Sequence, residues 1–143
     1  MNNTKTIETL KQDPNKIDAI KKMLTTQQEC WNNGDIDGFM EGYWNSEELI
    51  FTSATHKPVY GWQNTLERYK SSYPTKESMG ELRFEILDLK LISKTTATLK
   101  GKWGLIREKD HPNGLFWLDI EKFDNDWLIT KDSTISFEIN TPL

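Results

Sequence analysis

Gly80-Glu-Leu-Arg-Phe-Glu-Ile-Leu-Asp-Leu-Lys-Leu91 opens the stretch, running on to Ser136, that decides the fold. Leu82, Phe84 and Ile86 alternate with polar residues; then the phase slips, and Leu87, Leu89 and Leu91 carry the apolar alternation onward. A slip inside one strand predicts a β-bulge, which bends the strand and increases its twist. Thr96 to Lys109 sets Ala97, Leu99, Gly101, Trp103, Leu105 and Arg107 on one face. His111-Pro-Asn-Gly114 is turn chemistry leading into Leu115 to Phe123, and Asp124-Asn-Asp126 turns the chain into Trp127-Leu-Ile-Thr130. Four strands with short connections predict a curved, antiparallel meander. The helical patterns all lie upstream, so the class is α+β, with a hollow where the helices meet the bent sheet.

Upstream, Asp13-Pro14 is a helix start, because Asp accepts from free helix amides and Pro is tolerated where the first N–H has no partner. Ile17, Ile20, Leu24, Gln27 and Trp31 form one stripe, flanked by Met23 and Cys30, and Asn32-Asn33-Gly34 supplies a left-handed stop. Asp35 caps a second expected helix carrying Phe39, Met40, Tyr43 and Trp44. Its glycines, Gly38 and Gly42, point to close approach of another backbone, with the first and second helices tightly packed. Leu49-Ile-Phe-Thr52 and Pro58-Val-Tyr-Gly61 read as a hairpin at the sheet edge. Trp62, Leu66, Tyr69 and Tyr73 share the stripe of a third helix that Pro74 ends, and Thr75 to Ser78 reads as a connector.

The chain has 143 residues, which suits one domain with a sizeable core. With 18 basic and 22 acidic residues and no basic cluster, it lacks the electrostatic footprint of a nucleic-acid binder. No apolar run approaches a membrane span and the first residues do not read as a signal peptide, so the expectation is a cytoplasmic protein without a membrane partner. One cysteine, Cys30, and two histidines, His56 and His111, assemble neither a disulfide nor a usual zinc site, and phosphate-loop, nucleophile-elbow and metal-helix motifs are absent. No metal or cofactor is expected.

Trp31-Asn-Asn-Gly-Asp35, Phe39 to Trp44, Gly61-Trp62, Arg68-Tyr69, Tyr73-Pro74 and Met79-Gly-Glu-Leu82 form a recognisable series. It continues with Gly101-Lys-Trp103, Leu105, Arg107, Gly114, Phe116, Leu118, Trp127, Ile129, Asp132 and Thr134. Over about residues 15–136 the chain resembles the nuclear transport factor 2-like superfamily, the cone-shaped α+β fold of ketosteroid isomerase, and within it the SnoaL-like domains. The resemblance implies a curved, mostly antiparallel, cystatin-like sheet wrapped around three N-terminal helices. Residues 1–14 would be an N-terminal extension or short helix and 15–143 a single SnoaL-like domain. Relatives often carry a histidine after the matching aspartate, where this chain has Ser133. The fold serves enzymes, binding domains and assembly domains, so it does not by itself select among them.

Aromatic residues from separate elements are the candidate ligand walls: Tyr43, Trp44, Trp62, Tyr69, Trp103, Phe116 and Trp117, each with ordinary core packing as the competing explanation. Trp62, Tyr69 and Trp103 are expected to converge on one cavity. Asp132, with Leu128 and Thr130 on its side by strict alternation, points inward, where desolvation raises a carboxylate pKa. It is either a general base or a structural acceptor of backbone amides or Thr134. Arg107 either holds a ligand carboxylate at the cavity mouth or pairs across the strands with Asp119; the ion pair is the favoured reading.

Three functions remain in play. The first is a domain that binds a small apolar or aromatic molecule. The second is a cofactor-independent isomerase or lyase acting on a small carbonyl compound through Asp132, and the third an assembly domain with an incidental pocket. Leu115, Trp117 and Phe123 face away from Phe116, Leu118 and Ile120, so a second copy is expected to cover that outer face as a homodimer through the sheet.

Overall fold

The computed structural model describes residues 13–137. All of the expected N-terminal extension before Asp13 lies outside them. Asp13 caps helix α1 (Pro14–Asn32), its carboxylate accepting from the Asn15 and Lys16 amides. Ile20, Leu24, Gln27 and Trp31 are its buried stripe, and it ends at Asn33 and Gly34, the latter at φ +79° where a side chain would be strained.

Helix α2 (Ile36–Met40) is shorter than its pattern implies, although Asp35 does cap it through the Gly38 amide. The expected continuation through Tyr43 and Trp44 is drawn off into the sheet. The Ile129 amide donates to the Gly42 carbonyl, the Trp44 amide donates to the Ile129 carbonyl, and Tyr43 bridges Ile129. The hairpin β1 (Ile50–Ser53) and β2 (His56–Tyr60) follows, then α3 (Trp62–Ser72). Where the sequence suggests only a connector there is a further turn of helix, α4 (Lys76–Met79), held by a reciprocal capping box between Thr75 and Ser78.

Strands β3 (Glu81–Leu91), β4 (Thr96–Ile106), β5 (Asn113–Phe123) and β6 (Asp126–Ser136) complete a six-stranded mixed sheet of order β2-β1-β6-β5-β4-β3. All neighbours are antiparallel except β1 and β6, which run parallel. The phase slip in β3 is a bulge: Ile86 faces Gly101, Asp88 faces Lys100, and Leu87 between them is 44% exposed. A second bulge lies in β6, where Ile129 faces Ile120 and Lys131 faces Asp119, leaving Thr130 as the extra residue. The core joins Leu24, Trp31 and Phe39 of the helices to Leu99, Leu118 and Ile129 of the inner sheet face. Among the described residues no helix is long and apolar enough to cross a membrane.

The β4–β5 register removes the expected pairing of Arg107 with Asp119. Trp103 faces Gly114 and Thr98 faces Asp119, while Arg107 lies beyond the end of β4 in a loop that spans 107–112. That loop is wider than a tight turn because Arg107 folds back on Asp110, its Nε and Nη2 donating to the two carboxylate oxygens at 2.6 and 2.7 Å.

Candidate functional site

Between the inner sheet face and α1–α3 lies a cavity of about 370 Å³, above the ~300 Å³ at which ligand sites begin. Its walls are aromatic. Trp31 stands at the centre of a T-shaped cluster with Phe39, Tyr69 and Tyr73, ring centroids 5.0, 5.8 and 5.1 Å away. These contacts follow from spacing: Trp31 ends the buried stripe of α1, Tyr69 stands on α3, and Tyr73 follows four residues on as the C-cap of that helix. From the sheet come Trp103 and Phe116. The Trp103 indole donates to the Ile135 carbonyl at 3.1 Å, reaching across Gly114, which has no side chain to block it.

Among the described residues Asp132 is the one carboxylate lining this cavity, and it is 6% exposed. Its inward direction has a cause that simple alternation hides. Trp127 and Ile129 point inward, as their burial shows; the extra residue at Thr130 then shifts the phase, so that Asp132 follows them onto the same face. The expected companions Leu128 and Thr130 are corrected to Trp127 and Ile129. Tyr43, brought over by its bridge to Ile129, donates its phenol to Asp132 Oδ2 at 2.6 Å, and the Tyr43 and Tyr69 hydroxyls lie 3.4 Å apart. Asp132 Oδ1 has no hydrogen-bond partner among the described residues.

The electrostatics follow from this enclosure. Burial pushes the Asp132 carboxyl up from 3.8 to about 6, against the opposing pull of the Tyr43 hydrogen bond. Burial first, and the Asp132 charge second, hold the Tyr43 and Tyr69 phenols well above their ordinary value. Both therefore remain neutral donors beside a carboxylate that exchanges its proton near neutrality.

The cavity thus gathers Tyr43, Tyr69, Trp103, Phe116 and Asp132 from among the candidate residues. Four others lie elsewhere. Trp62 does not converge with Tyr69 and Trp103, because its indole is turned to the Met40 carbonyl at 2.9 Å. Trp44 stacks on Phe123 at 5.4 Å and 15°, and Trp117 stands 39% exposed on the outer sheet face under Lys100. Arg107 is occupied by Asp110 and by the Ser78 carbonyl. Trp31, Phe39 and Tyr73, which the sequence pattern marks only as helix-stripe residues, are walls as well, as is Arg68, which adjoins Tyr69 on the helix that faces the cavity.

No family model matches this chain, and no curated protein matches it. Among solved structures it is similar to an NTF-2-like protein of unknown function from Shewanella oneidensis MR-1. That protein is 45% identical over 83% of this chain and 98% of its own, with a TM-score of 0.80. A ketosteroid isomerase-like protein from Erwinia carotovora atroseptica SCRI1043 is 13% identical over 84% of this chain and 95% of its own, at a TM-score of 0.69. A putative scytalone dehydratase from Novosphingobium aromaticivorans DSM 12444 is 12% identical over 88% and 87%, at 0.67. At those identities the last two share the fold alone.

Proposed function

Since this chain belongs to the nuclear transport factor 2-like superfamily, we propose that its cavity binds a small, largely apolar or aromatic molecule that presents one hydrogen-bond donor to Asp132. The observation that carries this is Asp132 Oδ1, a buried acceptor at the wall of an aromatic cavity with no partner among the described residues. An unpaired buried polar atom costs free energy, and a ligand donor removes that cost. The test is calorimetric titration with β-naphthol and with its methyl ether, which differ by the donor alone. Wild type is expected to favour β-naphthol by about tenfold, the worth of a hydrogen bond to a charged acceptor. Asp132→Leu is expected to abolish the difference. Absence of binding by both probes, or equal binding in wild type, sinks this reading.

A second reading, proton transfer next to a carbonyl, is favoured by the position of the Asp132 titration at about 6, where a carboxylate is a competent base near neutral pH. In it, Oδ1 takes a proton from the carbon beside the carbonyl, and the neutral Tyr69 phenol donates to the oxygen that gains charge. Deuterium exchange into β-tetralone, followed by proton NMR, tests it without knowledge of the natural substrate. Wild type is expected to accelerate exchange, with a rate that rises through about 6 as the carboxylate forms. Exchange equally fast with Asp132→Asn excludes this chemistry.

A further inference from the structure

The chain has three arginines, and the structure treats one of them differently. Arg83 is forked onto Glu81 through Nε and Nη2, and Arg107 is forked onto Asp110 in the same way. Arg68 has neither a carboxylate partner nor a hydrogen bond among the described residues, and it is the arginine that lines the cavity. It is half-buried on α3, between Glu67, whose carboxylate accepts from Gln63, and Tyr69. A guanidinium drawn partly out of water without a counter-charge is costly, and a protein of net charge −4 has acids in excess with which to pair it.

The rest of the cavity rim has a consistent character. Ser53, Thr55, Ser72 and Ser136 offer hydroxyls, His56 offers an imidazole, and among the described residues the one acid in the lining is Asp132. Both charges reach the aromatic wall: the Asp132 charge raises the Tyr69 phenol, and Arg68 lowers the phenols of Tyr69 and Tyr73. The lining therefore carries a buried acceptor, Asp132, and a half-buried cation, Arg68, among aromatic rings.

We propose that the occupant is an organic anion: a small molecule with an aromatic or alicyclic body, a hydrogen-bond donor at the end that meets Asp132 and a carboxylate at the end that meets Arg68. This rests on the reading of the cavity as a ligand site and adds the substrate class. A carboxylate is the group that matches a planar guanidinium fork, as Asp110 does for Arg107 within the chain itself. Entry of an anion into an acidic protein is steered by the local charge, here that of Arg68, rather than by the net charge.

The test uses para-hydroxycinnamate and its amide, which share the body and the donor and differ in the charge. Calorimetry on the full chain is expected to give the carboxylate at least about tenfold tighter binding than the amide at low salt. That ratio should narrow as ionic strength rises and fall close to one in Arg68→Met and in Arg68→Gln, with circular dichroism verifying that both variants are folded. Equal affinity for the two probes in wild type, or a ratio that survives both substitutions, overturns the assignment while β-naphthol binding leaves the cavity reading standing. If no probe of either set binds, the two fall together.

Discussion

Asp132 ties pH to both stability and chemistry. Its folded-state value of about 6 lies above the ordinary 3.8, so between those two values the folded chain keeps a proton that the unfolded chain has released. The stabilisation is complete below 3.8 and is lost as pH rises through about 6. Its size is on the order of 3 kcal/mol, and Asp132→Asn, which carries no charge to desolvate, is expected to remove this decline in thermal melts compared at about pH 4 and about pH 8. Carbon-13 NMR of the aspartate carboxyls should show one midpoint near 6, and Tyr43→Phe should move it higher, because the Tyr43 hydrogen bond holds it down. A midpoint in the ordinary carboxylate range would contradict the enclosure described. Asp132 could be read from sequence as an inward acid, but its partner could not. Tyr43 lies 89 positions away, and it reaches Asp132 because its segment leaves a helical pattern to bridge Ile129.

At the scale of elements, local chemistry was the legible part. Asp13-Pro14 and Asn33-Gly34 bound α1, the hairpin of β1 and β2 stands at the sheet edge, and the phase slip at Leu87 is a bulge. The bulge at Thr130 had no such signature, because Trp127, Leu128 and Ile129 are apolar on both phases and a slip among them leaves no mark. Helix α4 has four residues, too few to carry an apolar period, so only the Thr75 and Ser78 cap could have announced it. The spacing of Gly38 and Gly42 did report close packing, although what approaches is side chain. A Cβ at Gly42 would lie 2.7 Å from Gln27 Nε2 and 2.8 Å from its Cδ. Gln27 cannot yield easily, since it is buried and donates to the Phe39 carbonyl at 3.1 Å. Gly42→Ala is therefore expected to destabilise by about 1–3 kcal/mol, seen as a lower urea midpoint; an unchanged midpoint would mean that α1 and α2 are packed more loosely than this.

For the molecule as a whole, the outer sheet face bears on association. Trp117 is 39% exposed there, with the half-buried Leu115 on the same face of β5. A second copy covering this patch is expected to give a sedimentation-equilibrium mass near twice 16.7 kDa, reduced to the single-chain mass by Trp117→Glu; a single-chain mass in wild type removes the dimer. The sheet order carries a different consequence. β6 is the strand that pairs with both β1 and β5, and in the parallel ladder Phe51 of the cavity wall stands opposite Asp132. Take β6 away and the sheet separates into a two-stranded hairpin and a three-stranded meander. During synthesis, at roughly 5–20 residues per second, the hairpin leaves the ribosome seconds before the strand it must join. A nascent chain halted before Asp126 lacks the strand that unites hairpin and meander, so it is expected not to close the cavity.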